Sequence, residues 1–118
     1  MAKQDHVTTL NELKQWLRAF VEERDWGQFH APKNLCMSLA IEAAELMEHF
    51  QWESVEASRE VATDAARLAE VGEELADVLC YAISLANALD LDIATIVRDK
   101  MAKNALKYPA DRFRGRSG

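Results

Sequence analysis

Four acids stand in two pairs of equal spacing: Glu42 and Glu45 within NLCMSLAIEAAELMEHFQW (34–52), and Glu74 and Asp77 within VGEELADVLCYAISLANAL (71–89). A separation of three is close to one helical turn, so each pair projects its carboxylates from neighbouring points on one helix face. In the first stretch Leu35, Leu39, Leu46 and Phe50 recur with the helical period and define an apolar stripe. Glu42 falls on that stripe. Desolvating a lone carboxylate is unfavourable by several kcal/mol, so a cation or a hydrogen-bond donor must meet it. Glu74 and Asp77 flank a second stripe, Val71, Leu75, Val78, Ala82, Ala86 and Leu89. Two helices that each offer an acid pair to a shared interior make a cage for a hard divalent cation.

The donor set narrows the metal. A di-iron carboxylate bundle needs Glu-x-x-His motifs, and three residues before His49 stands Leu46. Cysteines at zinc spacing are absent, since Cys36 and Cys80 are the only two. Four carboxylates suit Mg2+, with Mn2+ as a substitute. Such a cation keeps waters and bridges to phosphates, which points to a phosphate-bearing substrate. The competing reading is a solvated acidic face; it fits Glu48, Glu53, Glu56, Glu70 and Glu73, which lie off the stripes.

The elements that must position these acids are helical throughout. Thr9 with Glu12 forms a capping box, and Leu10, Leu13, Leu17, Phe20 and Val21 carry a first helix to about Arg24, its apolar face widened by Trp16. So wide a face has more to bury than one neighbour covers, which favours an oligomer. A connector, 25–32, is broken by Gly27 and Pro32 and holds Trp26, Phe29 and His30. Two uses are open for these rings: a plug for the end of the bundle, or a platform on which a flat ligand stacks. Pro32 suits the first turn of a second helix that reads through to Trp52. Residues 53–70 have weak periodicity, open to a short helix, a loop or an early extension of the third helix, and are expected to form an exposed connection, the third helix proper starting at about Asp64 or Ala69. A third helix ends near Leu89, and Asp92 caps a fourth from Ile93 to about Lys107, stopped by Tyr108-Pro109. The fourth helix presents Lys100, Asn104 and Lys107 as a cationic and polar stripe, which a solvated face also explains. Tyr81 projects one turn beyond Asp77, with core packing as its alternative use. Residues 1–7 and 110–118 read as flexible ends, the latter with Arg112, Arg114 and Arg116.

With 118 residues, 49% hydrophobic and 29% charged, the chain reads as one all-α domain of ordinary globular composition. A net charge of −6 argues against a general nucleic-acid surface. The N-terminus lacks a secretory pattern and no run reaches the length of a membrane span, so the expected location is the cytoplasm, with no membrane partner. Cys36 and Cys80, set among apolar residues, are expected to be small buried hydrophobes.

Taken together, ERDWGQFH (23–30), PKNL (32–35), IEAAELMEHFQW (41–52), EELADVLCY (73–81) and KMAKNALKYP (100–109) resemble the all-α MazG-type nucleoside triphosphate pyrophosphohydrolases, in the branch containing the dCTP pyrophosphatases. The resemblance implies a four-helix bundle assembling as a dimer or a dimer of dimers. It implies Mg2+ on Glu42, Glu45, Glu74 and Asp77. Trp26, Phe29, His30, Trp52 and Tyr81 then match nucleoside contacts, and Lys100, Asn104, Lys107 and Tyr108 match the segment associated with the triphosphate. The activity implied is cleavage of dCTP, or a modified dCTP, between the α and β phosphates, with Glu45 the first choice of general base. Animal dCTP enzymes place a base-contacting histidine where this chain has Leu17. Losing a polar base contact lowers discrimination more than turnover, so broad base tolerance is one rival reading. A catalytically silent nucleotide- or protein-binding dimer is another.

Overall fold

In a computed structural model that describes residues 4–116, the chain is all-helical. A 3-10 turn, Asp5–Val7, precedes α1 (Leu10–Glu23); α2 (Pro32–Glu48), α3 (Val55–Arg59), α4 (Ala65–Ala88), α5 (Ile93–Lys107) and α6 (Ala110–Phe113) follow. The expected four helices are α1, α2, α4 and α5. Their caps are those the sequence announces: the Glu12 amide donates to Thr9 Oγ1 at 3.1 Å, Pro32 opens α2, and the Thr95 amide donates to Asp92 Oδ2 at 3.1 Å.

The most extensive packing joins α2 to α4, and α1 lies against α4 as well. On α2 the stripe behaves as its period requires: Leu35 is fully buried, and Leu39, Leu46 and Phe50 are half-buried. On α4 the sequence stripe is covered in part, with Val71, Val78 and Ala82 half-buried and Ala86 buried, and the cover extends beside it to Ile83 and Ser84. Ile83, Ser84 and Ala86 are buried, whereas Leu75 and Leu89 stand about half exposed. Two further expectations fail on the same ground. Cys36 and Cys80 are both exposed, because they lie on the faces of α2 and α4 that no other helix of the chain covers.

α2 also stops short of Trp52. After Glu48, the amides of Phe50 and Gln51 both donate to the Met47 carbonyl at 2.9 Å, winding the chain into a turn with no glycine or proline to announce it. The connection that follows is structured: Ser54 caps α3, a 3-10 turn runs Glu60–Thr63, and Val61 is buried at 5% exposure. Arg67 of α4 clasps this corner. Its guanidinium pairs with Glu53 and donates to the His49 carbonyl at 2.8 Å. We expect Arg67→Ala to lower unfolding stability by about 2 kcal/mol, read in urea titrations, since it strands a partly buried carboxylate and a carbonyl together.

Aspartates, not glycines, make the two sharp helix exits. At the end of α1 the Trp26 amide reaches the Val21 carbonyl and the Asp25 amide reaches Glu22; at the end of α4 Leu91 reaches Ala86 and Asp90 reaches Asn87. This is the Schellman pattern, with Asp25 (φ 52) and Asp90 (φ 54) in the left-handed position. Gly27, expected to break the chain, has no positive φ, and a Cβ there would meet nothing within 4 Å. At the C-terminus, part of the segment expected to be flexible forms α6, held by an edge contact of Phe113 on Tyr108 at 5.2 Å. Residues 1–3 and 117–118 lie outside the described part.

α5 has no extensive packing on another element among the described residues, and Met101 and Leu106 are 65% and 83% exposed. The radius of gyration is 17.2 Å; a compact chain of this length would have about 13.5 Å. Among the described residues no single helix is long and apolar enough to cross a membrane.

Candidate metal centre and aromatic cavity

Packing of α2 on α4 brings Glu42, Glu45 and Glu74 together, with one carboxylate oxygen from each lying within 4.8 Å of the others. Glu42 and Glu74 are half-buried, and in each the Oε2 atom is out of solvent without a hydrogen-bond partner. Glu45 is exposed and closes the open side. A buried carboxylate oxygen with no donor is unfavourable, and the crowding of three carboxylates compounds it by mutual repulsion. Desolvation, then contact with and repulsion from Glu45, contact with Glu74 and repulsion from Asp77, push the Glu42 carboxyl from 4.5 up to about 7. The arrangement has the chemistry of a hard-cation site: oxygen donors only, converging, with no basic side chain paired to them among the described residues.

Asp77 stands apart from this trio. It is exposed and not one of the three converging acids, yet near enough to repel charge on Glu42. The expected four-acid cage is therefore three acids with a fourth beside them.

The raised Glu42 carboxyl has a consequence for stability. The folded protein holds that proton more tightly than the unfolded chain, so the contribution of Glu42 to metal-free stability is fully present below about pH 4.5 and is lost as pH rises to about 7. Thermal melts in EDTA should show a lower melting temperature at pH 8 than at pH 5.5. Adding Mg2+ at pH 8 should recover it, and Glu42→Gln should flatten the EDTA profile.

The aromatic connector packs beside the start of α2. Its Schellman turn sets Trp26 edge-on to Phe20, with ring centroids 5.7 Å apart, and Asn34 Nδ2 donates to the Phe29 carbonyl at 3.2 Å, fixing the connector to the helix. Trp26, Phe29, His30, Asn34, Ser38 and Tyr81 line a cavity of about 190 Å³, with Leu35 at its base. Four of the expected nucleoside contacts thus converge. Asn34 and Ser38 were not anticipated, although a signal existed: Asn34, Ser38, Glu42 and Glu45 follow one another at spacings of four, four and three, a single polar stripe running from the cavity to the acids.

Trp52 is 89% exposed on the turn after α2 and lines neither this cavity nor the next. Lys100, Asn104, Lys107 and Tyr108 lie along α5 and its end, with no hydrogen bond or ion pair to the acids among the described residues; Lys107 sits over its own neighbour Tyr108, 5.2 Å from the ring centre. A second cavity, of about 300 Å³ between α1 and the C-terminal half of α4, shares His30 with the first. Leu17 forms part of its wall.

Comparison with known proteins points to one family. A family model described as MazG-like matches residues 37–117, which include all four acids. The chain is 39% identical over 107 residues to dCTP pyrophosphatase 1 of Rattus norvegicus, covering 91% of this chain and 63% of that protein. With dCTP pyrophosphatase 1 of Homo sapiens the identity is 38% over 109 residues, covering 92% of this chain and 64% of the relative. The chain thus spans just under two thirds of the length of these curated relatives. A crystal structure of a pyrophosphatase from Archaeoglobus fulgidus superposes with a TM-score of 0.78 at 41% identity, covering 92% of this chain and 97% of that one. An all-α fold that sets three acids beside an aromatic cavity, matched over most of its length by this family, places the chain in the MazG-like family.

Proposed function

We propose that the protein is a Mg2+-dependent nucleoside triphosphate pyrophosphohydrolase that cleaves between the α and β phosphates, with dCTP or a modified dCTP giving dCMP and pyrophosphate. The observation that carries this reading is the pair of buried, unpartnered oxygens on Glu42 and Glu74, converging with Glu45 at the end of a polar stripe that begins in an aromatic cavity. The names of the curated relatives support the same substrate.

Glu42, Glu45 and Glu74 would hold Mg2+ (or Mn2+), with Asp77 as a further oxygen beside them. Bound there, the cation supplies charge neutralisation for the triphosphate and a more acidic water. Glu45, the exposed member of the trio, is the residue placed to take a proton from that water. Trp26, Phe29 and Tyr81 border the base, and His30 and Asn34 offer polar contacts at the cavity wall.

The triphosphate contacts Lys100, Asn104, Lys107 and Tyr108 reach a site only in an assembly in this reading, and so does Trp52. Support comes from the sparse packing of α5, its exposed Val97, Met101 and Leu106, and the large radius of gyration. We therefore propose a homodimer or homotetramer acting in the cytoplasm on free nucleotides, in nucleotide-pool cleansing. Sedimentation equilibrium should show no monomer at micromolar concentration.

A broader base tolerance is favoured by one observation: Leu17, an apolar residue, forms the wall where animal relatives are expected to contact the base. Pyrophosphate release from a panel of deoxy- and ribonucleoside triphosphates decides between the two. Release greatest with dCTP supports the narrow reading, release spread over several bases supports the broad one, and no release from any supports a silent binding module.

A further inference from the structure

The contacts between α2 and α4 follow one antiparallel register. Leu35 and Tyr81 line the same cavity, Glu42 converges with Glu74, and the His49 carbonyl accepts from Arg67. Every two turns gained along α2 are matched by two turns lost along α4, a spacing of roughly 10 Å. The pair therefore carries three layers in order: aromatic cavity, acids and arginine clasp. Ser38 falls between the first two. It is half-buried, lines the cavity, and stands one turn before Glu42 on the polar stripe of α2.

Little else at that level can form a hydrogen bond. Between Asn34 and Glu42 the chain runs Leu-Cys-Met-Ser-Leu-Ala-Ile, and Ser38 is the one side chain there with an oxygen or nitrogen atom. Between Asp77 and Tyr81, α4 offers only Val-Leu-Cys. The nearest rival is the Asp77 carboxylate, at the acid end of the same stretch. A nucleoside triphosphate with its phosphates at the acids and its base against Trp26 and Tyr81 spans these two layers. Its pentose, which joins base to phosphates, then lies level with Ser38. In a deoxynucleotide that pentose keeps a single free hydroxyl, at C3′.

We propose that Ser38 is a specificity-determining residue for the sugar: its hydroxyl hydrogen-bonds the 3′-hydroxyl of the bound nucleotide and sets a preference for nucleotides that carry one. This rests on the nucleotide reading of the site and extends it from base and phosphates to the pentose. A serine hydroxyl both donates and accepts, so it pairs with a sugar hydroxyl in either direction. The apolar residues around Ser38 leave the sugar no equivalent partner on α2.

The test crosses one residue with one substrate atom. Pyrophosphate release by the full chain with Mg2+ is followed for dCTP and for 2′,3′-dideoxy-CTP, in wild type and in Ser38→Ala. Wild type should prefer dCTP by about fivefold in kcat/KM, the scale of one neutral hydrogen bond. Ser38→Ala should lower kcat/KM for dCTP by about fivefold and leave the dideoxynucleotide within about twofold, so that the preference disappears. Unchanged turnover of the dideoxynucleotide also reports an intact fold, as expected where alanine replaces serine inside a helix. A preference for dCTP that persists in Ser38→Ala would assign the contact to another group, such as Asp77, and overturn the proposal. So would a wild type that does not distinguish the two substrates. Hydrolysis of neither by wild type would instead remove the nucleotide reading, and this inference with it.

Discussion

Glu74→Gln is expected to abolish Mg2+-dependent pyrophosphate release, by about a thousandfold or more, while leaving the fold intact. The reasoning begins with shape: glutamine keeps the volume and the half-buried position on α4 but removes the negative charge and replaces one carboxylate oxygen with an amide nitrogen, which does not ligate a hard cation. A thousandfold in rate corresponds to about 4 kcal/mol of transition-state stabilisation, a reasonable share for one ligand of a divalent cation in a catalytic site. The same substitution removes one of three crowded negative groups. In EDTA the variant should therefore melt no lower than wild type at pH 8, and its melting temperature should not respond to added Mg2+. Lost activity together with lost stabilisation by metal separates a ligand from a merely structural acid. A variant that keeps both responses would remove Glu74 from the centre.

Trp26→Ala should act on a different quantity. Stacking of a base on an aromatic ring is worth about 1–3 kcal/mol, so KM should rise by about 10- to 100-fold with kcat changed little. Trp26 lines the cavity and is held by the Phe20 edge contact and by its place just after the left-handed Asp25, so its ring is oriented before ligand arrives. Trp26→Phe, which keeps a smaller ring face, should fall between the two. If kcat falls and KM holds, the ring is shaping the reacting groups and the cavity is not where the base lies.

How much of this was legible in the sequence depends on which force decides each feature. Glu42 could be read because a charge on a strict apolar period is a conflict that few arrangements resolve, and the structure shows it half-buried as that period requires. Asp77 was legible only as a neighbour. The end of α2 was hidden, since hydrogen bonds to the Met47 carbonyl terminate it without a breaker residue. The corner after α2 was hidden too, because Val61 and the Arg67 clasp are single tertiary contacts with no period to reveal them. Leu75 and the two cysteines were misplaced for a common reason. A helix that is apolar around much of its girth gives no unique answer about which side meets its neighbour, and faces left open in one chain are open to a second copy. The aromatic cavity was half legible: its rings announced themselves, whereas Asn34 and Ser38 acquire meaning once their stripe is seen to run into the acids.

The most direct test of the central claim is the identity of the products formed from dCTP, followed by phosphorus NMR with Mg2+ and again with EDTA. The proposed chemistry predicts dCMP and pyrophosphate in equal amounts with the metal and no reaction without it. Release of orthophosphate, or hydrolysis that continues undiminished in EDTA, would contradict it.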